Sequence, residues 1–287
     1  MPHFMLSWED AALGAGLLAV VSVLGRLLTS VLAPRIGYRL RIGSGVAWEA
    51  GLLFGLYALW QFAGSFTVMS RAGGLARGQW IWHAERVLHL PSEAAVQRLF
   101  LPYPVIIQAF NLYYDILHFP MLIACLIWVY AWHRADYPRI RTILVLFTAA
   151  SLAVQLIPVA PPRLLPGAGM VDTAFKYGQS VYTWNNGALA ADQYSAMPSV
   201  HVGWALIVAI AVITVSRSRW RWLALAYPAL TLLVVVVTAN HFWLDGIAAA
   251  ALVGLAVLAQ QALTKVRSRP EHAAHGDSEQ EPVSVGS

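Results

Sequence analysis

Seven runs of mostly apolar residues, most of them near the length that crosses a bilayer as a helix, constrain the fold more than any other feature. Backbone in hydrocarbon must satisfy its own hydrogen bonds, which favours helices for runs of this length. The composition agrees, because 59% of the 287 residues are hydrophobic and only 11% are charged, whereas soluble domains carry about 25% charged residues. We therefore predict an all-α polytopic membrane protein, a bundle of about six to seven transmembrane helices. The runs cover residues 11–33, 46–69, 112–132, 142–158, 199–215, 220–237 and 242–263, and Arg26 interrupts the first.

Basic residues cluster beside these runs, in the segments 35–41, 133–141, 217–221 and 265–269. Under the positive-inside rule, all four clusters can lie in the cytoplasm together. The segments 71–101 and 160–197 and the short turn at Asn240 are then extracytoplasmic. The net charge of +5 is thus explained by membrane orientation and gives no reason to expect a nucleic-acid partner. We predict a multi-pass protein of the cell membrane.

The chain divides into three predicted parts. Residues 1–45 form a transmembrane helix and a cytoplasmic basic loop, and residues 46–265 form the membrane-embedded domain. The tail 266–287 is poor in large apolar residues, which indicates disorder. Within the domain, charged and apolar residues alternate over 84–101, which predicts a helix along the membrane interface, or equally a surface helical hairpin packed on the bundle. The external loop 160–197 is polar and rich in glycine, and loops of that length are usually functional or disordered.

The segment Asn240-His241-Phe242-Trp243-Leu244-Asp245 begins the last run. Positions i and i+4 share a helix face, so Asp245 can accept the Nδ1 hydrogen of His241 and leave Nε2 as a nucleophile or base. A carboxylate inside a membrane segment is unfavourable without a partner, which favours a functional role. The alternative is a structural His–Asp hydrogen bond between packed helices.

A second histidine, His201, follows Pro198 and Ser199 at the predicted start of the fifth run. Free backbone N–H groups and the positive dipole end make such a helix start a phosphate site. An interfacial histidine after an ordinary helix cap is the alternative. Because His201 and His241 begin helices on the same predicted side of the bilayer, the two histidines can form one site.

Two cations are candidate phosphate ligands. Arg163 follows Pro161 and Pro162, which end the fourth run on the same side and present the guanidinium there. An arginine anchored among lipid headgroups is the alternative. Lys176, on the external loop, is the weaker candidate.

The third run carries Asn111, Tyr114 and His118 on one helical face, with Asp115 beside them. We interpret the first three, together with Asn240, as the lining of a polar substrate pocket. They can equally be hydrogen-bonding residues between helices.

The sequence Met197-Pro198-Ser199-Val200-His201, followed about 40 residues later by the His241-x-x-x-Asp245 pattern, resembles the type-2 phosphatidic acid phosphatase superfamily. The Ala160-Pro-Pro-Arg163 run and the Asn111-x-x-Tyr114-x-x-x-His118 pattern look most like the inositol phosphorylceramide synthase-like branch. The resemblance covers residues 46–263 and implies a six-helix core and metal-independent chemistry without a cofactor.

Carried over to this chain, the resemblance implies that His241 attacks phosphorus and becomes a phosphohistidine, with Asp245 stabilising its charge. His201 then protonates the leaving oxygen and later activates water or an alcohol. Arg163 and the groups near Ser199 hold the phosphoryl oxygens. The resemblance also implies a phospholipid or other lipid-linked phosphate as the substrate, and in the synthase-like variant a polyol such as inositol as the acceptor.

The chain departs from the phosphatase pattern at four positions. Val200 replaces its glycine, Val234-Val235 replace a Ser-Arg pair, and Leu156 stands where a lysine is expected. These departures disfavour the interpretation as a general phosphatase, although a lipid or prenyl phosphate phosphatase remains an alternative. A rival from another class is a transporter or haem-binding protein, because paired histidines in a membrane can ligate haem. The single cysteine, Cys125, excludes a disulfide within the chain.

Overall fold

The computed structural model describes residues 7–29, 31–66, 71–177 and 193–273. In these ranges the secondary structure is helical and includes no strand beyond one bridge between Val159 and Ser195. Six helical segments are long and apolar enough to cross a membrane, and an additional apolar helix is shorter. The predicted all-α polytopic membrane fold is confirmed. The helices are α1 (Trp8–Leu28), α2 (Pro34–Phe66), α3 (Arg71–Val87), α4 (Glu93–Phe100), α5 (Pro104–Leu112), α6 (His118–Trp132), α7 (Tyr137–Gln155), α8 (Thr173–Tyr177), α9 (Val200–Val215), α10 (Ala226–Val237) and α11 (Trp243–Ala273).

Helices α1 and α2 form a hairpin that packs mainly on itself. The predicted basic loop at 35–41 is wrong, because α2 begins at Pro34 and includes these arginines. Proline suits the first helical position and arginine has a high helix propensity, so this stretch extends the helix. The predicted domain boundary at residue 45 consequently falls inside α2. Glu49 ties α2 to the bundle by accepting hydrogen bonds from Arg141 and Tyr137.

Five helices, α6, α7, α9, α10 and α11, enclose the main hydrophobic core. Phe147 of α7 is fully buried and lies against Gly203 of α9, where a larger residue would overlap its ring. This close approach sets how near α7 and α9 can lie. Most of the other buried residues of this core are small or β-branched, and the rest include leucines and Tyr137. Small residues are usual where membrane helices pack closely.

The predicted helix over 84–101 is two helices, α3 and α4, with a turn between them. His89 takes a left-handed conformation (φ +56°) and Pro91 lacks a backbone donor, so the helix cannot continue. Ser92 then caps α4 by accepting a hydrogen bond from the Ala95 amide at 3.3 Å. The hairpin packs on the bundle and buries Glu93, as the surface-hairpin interpretation expected. Its depth in a membrane remains a prediction.

Three boundaries also differ from the sequence-based ranges. The third span starts at Pro104, and a π-helical turn, Tyr113–Leu117, joins α5 to α6. The fourth starts at Tyr137. The predicted disorder from residue 266 is wrong as far as Ala273, because α11 continues to that residue; extending a formed helix avoids the unfavourable nucleation step. The remaining tail, 274–287, and the part of the external loop over 178–192 lie outside the described residues.

The bundle has two chemically different ends. Helix α7 ends, and α9 and α11 begin, at one end, where Gln155 donates to the Pro198 carbonyl at 3.5 Å. Helix α9 rises about 1.5 Å per residue away from this point, so the connection after Val215 lies at the opposite end. The basic segments 133–141 and 217–221 therefore lie away from the end at which His201 and His241 lie.

Candidate active site

His241 and Asp245 are almost completely buried at the start of α11, with 4% and 0% of their surfaces exposed. Asp245 accepts a hydrogen bond from the Phe242 amide at 2.9 Å through Oδ2. The same oxygen lies 3.3 Å from Nδ1 of His241, as the i, i+4 spacing predicted. The same carboxylate thus caps the start of α11 and contacts the imidazole of His241.

The carbonyl oxygen of Ala196 is closer to Nδ1 of His241, at 2.7 Å. A carbonyl oxygen can only accept, so this contact requires the hydrogen to be on Nδ1. Nε2 of His241 then carries the lone pair. This nitrogen is buried and has no hydrogen-bond partner within the described part of the chain. The imidazole is therefore held in the tautomer that a nucleophilic histidine needs.

His201 lies in the first turn of α9, and its ring centroid is 5.9 Å from that of His241. Tyr114 packs against His201 at 4.3 Å between centroids and lies 6.4 Å from His241. The two predicted histidines are thus neighbours, and an aromatic ring from the third span holds His201 in place.

The start of α9 is organised by Ser199, which is fully buried. Its hydroxyl oxygen caps the helix by accepting from the Val202 amide at 3.4 Å, and its own amide donates to the Asp245 carbonyl at 3.1 Å. The amides of Val200 and His201 have no acceptor among the residues described. The amides available to an anion are therefore those after Ser199, and not the amide of Ser199 itself.

Arg163 lies in a 3-10 turn, Pro162–Leu164, whose backbone joins the loop before His241 because the Arg163 amide donates to Ala239 at 3.1 Å. Its guanidinium donates to the side-chain oxygen of Asn240 and lies 3.6 Å from an Asp172 oxygen. The structure thus brings Arg163 next to the residue that precedes His241. Lys176 is different: it is exposed on α8, and its ammonium lies over the ring of Tyr177.

The predicted pocket residues of the third span separate into two groups. His118 is buried, its ring lies 4.9 Å from His201, and its Nδ1 shares a hydrogen with the Tyr227 hydroxyl at 3.2 Å. Tyr114 also faces the histidines. Asn111 instead accepts a hydrogen bond from Thr173 of α8 at 2.8 Å. The π-helical turn, Tyr113–Leu117, contains Tyr114 and separates Asn111 from His118, and such turns are frequent at functional sites.

Three contacts at the site were not foreseen from the sequence. They are the Ala196 carbonyl, the Tyr227 hydroxyl and the carboxyl of Glu85, which accepts from the Leu244 amide at 2.7 Å. A backbone carbonyl has no residue-type signature, and Tyr227 lies in an apolar run far from any motif. Glu85 could have been singled out only as a carboxyl among apolar neighbours in the segment 84–101.

The model of the PAP2 superfamily, the superfamily of type-2 phosphatidic acid phosphatases, matches residues 79–259. This range is more than half of the chain; it begins within α3, ends within α11 and contains both histidine segments. Comparisons with curated proteins and with solved structures give no match. With the family match over the helices that build the site, the chain belongs to the PAP2 superfamily of membrane phosphatases and phosphotransferases.

Proposed function

We propose that the protein transfers a phosphoryl group from a lipid-linked phosphate through a phosphohistidine at His241. The observation that carries the proposal is the double contact of Nδ1 of His241 with Ala196 and Asp245, which leaves the Nε2 lone pair available. In the first step this lone pair forms a bond to phosphorus, and the bond from phosphorus to the leaving oxygen breaks. Asp245 stabilises the positive charge that develops on the imidazole.

His201 is the proposed acid and base. In its protonated form it gives a proton to the leaving lipid oxygen, and its now neutral ring accepts a proton from water or an alcohol in the second step. The incoming oxygen bonds to phosphorus while the phosphorus–Nε2 bond breaks, which restores His241. The ring centroids of the two histidines are 5.9 Å apart, which is close enough for both to act on one phosphoryl group.

Arg163 and the start of α9 are the proposed phosphate ligands. The amides of Val200 and His201 point along a helix start, where an anion is favoured, and Ser199 holds that turn in shape. Arg163 is 4% exposed, and a guanidinium in such a place can bind two phosphoryl oxygens. Lys176 is an outer ligand at most, because no described contact joins it to the histidines.

We propose the extracytoplasmic face as the side of the reaction. The site lies at the end of the bundle opposite the basic segments 133–141 and 217–221, and the positive-inside rule assigns those segments to the cytoplasm. The three-part organisation, with residues 46–265 as the membrane-embedded catalytic unit, belongs to the same proposal; the family match, over 79–259, lies inside that unit and begins within α3.

The acceptor is proposed to be a polyol such as inositol, as in the inositol phosphorylceramide synthase-like branch. The polar side chains of Tyr114, His118 and Asn240 lie around the two histidines and can bind hydroxyl groups. Asn111 contributes indirectly, through the external loop that it holds at Thr173. Hydrolysis of a lipid or prenyl phosphate shares the first step and differs only in the acceptor.

The test is to incubate purified protein with phospholipids and prenyl phosphates, with and without polyols, and to identify products by mass spectrometry. His241→Ala should abolish turnover, and His83→Ala, which removes an exposed histidine of α3, should leave it unchanged. A polyol phosphate or phosphodiester as product supports transfer, whereas phosphate release unaffected by any polyol supports the phosphatase. Full turnover by folded His241→Ala protein would overturn the mechanism.

A further inference from the structure

Two carboxyl groups lie buried together beside the start of α11. Glu85 of α3 is 0% exposed and Glu93 of α4 is 2% exposed. Oε2 of Glu85 and Oε1 of Glu93 accept no hydrogen bond from any other described residue, while the two side chains hydrogen-bond to each other. Because two carboxylates cannot donate to one another, this contact requires one of them to carry a proton.

The charges around the pair identify the protonated partner. Arg86 donates to Oε2 of Glu93 at 2.8 Å and lies 3.8 Å from Glu85, beyond hydrogen-bond distance. Glu93 is therefore the carboxylate that the guanidinium neutralises. Burial, above all, and the hydrogen bond with the Glu93 carboxylate raise the pKa of Glu85 to about 9, with Asp245 adding to the rise. Glu85 is a neutral acid at physiological pH.

The other carboxyl oxygen of Glu85 contacts the first turn of α11. Oε1 accepts the Leu244 amide hydrogen at 2.7 Å, and Leu244 lies directly before Asp245. The same hairpin contacts the preceding residue, since the Trp243 indole donates to the Pro91 carbonyl at 2.8 Å. The start of α11 is thus held by hydrogen bonds to the α3–α4 hairpin and by the hydrogen bond that Asp245, within the helix itself, accepts from the Phe242 amide.

We propose that Glu85, as the neutral member of a carboxyl–carboxylate pair with Glu93, is a positioning residue that fixes the first turn of α11 and so aims His241 and Asp245. The inference rests on the proposed role of His241. A second negative charge at Glu85 would repel Glu93 and the nearby Asp245, and would remove the donor that joins α3 to α4. The charged groups that face Glu85 are Glu93 from α4, Arg86 from its own helix and Asp245 from α11. The 3-10 turn against α3 adds Arg163, whose guanidinium is engaged by Asn240 and Asp172.

The distinguishing variant is Glu85→Gln. A glutamine can accept from Leu244 and donate to Glu93 at every pH, so it imitates the protonated acid permanently. With phosphatidic acid in detergent micelles as the first probe, we expect kcat/KM of the parent relative to E85Q to be constant from pH 6 to 8. The ratio should fall at least about fivefold by pH 10, because most Glu85 is ionised one pH unit above its pKa. Glu9→Gln, which changes an exposed carboxylate, should follow the parent.

Glu85→Ala removes both hydrogen bonds, and we expect kcat/KM at least about tenfold below the parent at every pH, with E85Q restoring most of it. Superimposable profiles of parent and E85Q up to pH 10 would overturn the proposal, as would full activity of E85A. If E85A does not fold, the E85Q profile still decides.

Amide hydrogen exchange separates this inference from the proposed function, because it needs no turnover. We expect the Leu244 amide to be protected in the parent and in E85Q at pH 7. At pH 10 the Leu244 amide should be less protected in the parent than in E85Q. This loss of protection should be at least about tenfold larger than the corresponding loss at the Phe242 amide. Equal protection of Leu244 in both proteins at pH 10 would overturn the role of Glu85. Retained activity in His241→Ala would instead overturn the proposed function and leave the exchange result standing.

Discussion

The carbonyl oxygen of Ala196 lies 2.7 Å from Nδ1 of His241, nearer than the Asp245 carboxylate at 3.3 Å. Two acceptors of different charge therefore share one hydrogen. The carbonyl alone suffices to keep that hydrogen on Nδ1, because it cannot donate. In the proposed mechanism, the carboxylate adds the negative charge that a phosphorylated imidazole needs, so orientation and charge stabilisation are supplied by different groups.

This division predicts the behaviour of Asp245→Asn. The variant loses the charge while Ala196 still holds the tautomer, so we expect kcat to fall about 10²–10³-fold, the usual size of one lost electrostatic contact. KM should change less than about threefold, because the groups proposed to bind phosphate are untouched. Steady-state kinetics in detergent check both values. Loss of activity as complete as in His241→Ala would contradict a separate role for Ala196.

His201→Gln tests the order of the two steps. An aryl phosphate has a good leaving group and needs little protonation, so His241 should still be phosphorylated. Without a base to activate water, the second step should become at least about 10²-fold slower, and the phosphoenzyme should accumulate. The measurement is acid-labile, alkali-stable phosphate on the protein after rapid quenching of a radiolabelled reaction. A double variant with His241→Ala should show no label, and labelling of His201→Gln no higher than that of the parent would count against the assignment.

Much of the site could be predicted from residue spacing. The pairing of His241 with Asp245 follows from helical geometry, and the approach of His201 follows from the two helix starts on one side of the bilayer. The Ala196 carbonyl could not be predicted, because it depends on the path of the chain before Ser199. Lys176 was predicted from its charge alone, and in the structure its ammonium lies over the ring of Tyr177.

The fold was predictable at the level of spans and less so at their ends. Hydrophobicity identifies the segments that suit a bilayer, but it does not report where a helix stops. The arginines of 35–41 therefore suggested a loop, although they continue α2 beyond the apolar run. The π-helical turn at Tyr113–Leu117 has no sequence pattern of its own, because one additional residue in a single turn leaves the apolar composition of the run almost unchanged.

Helix packing near the site gives a test of stability. A methyl group at Gly203 would overlap the Phe147 ring, so Gly203→Ala should destabilise the bundle by about 1–3 kcal/mol and lower Tm. Gly254→Ala is the matched control, because nothing lies within 4 Å of the added carbon and alanine favours the helix by about 1 kcal/mol. Thermal unfolding in detergent should therefore rank the second variant at or above the parent. An unchanged Tm for Gly203→Ala would show that α7 and α9 can separate freely.

The pKa of Glu85 predicts how stability depends on pH. It is raised from 4.5 to about 9 in the folded protein, so below pH 4.5 the folded and unfolded states bind the same proton. Between these values the unfolded chain releases the proton that the folded protein keeps, and the free energy of unfolding falls as pH rises. The loss of free energy of unfolding is complete once the pH exceeds the pKa of Glu85 in the folded protein. Tm of the parent should thus decline between pH 5 and 9 relative to Glu85→Gln, which has no proton to release, while Glu9→Gln should follow the parent. Parallel Tm curves for the parent and Glu85→Gln would mean that Glu85 is already ionised in the folded protein, with Arg86 neutralising it as well as Glu93.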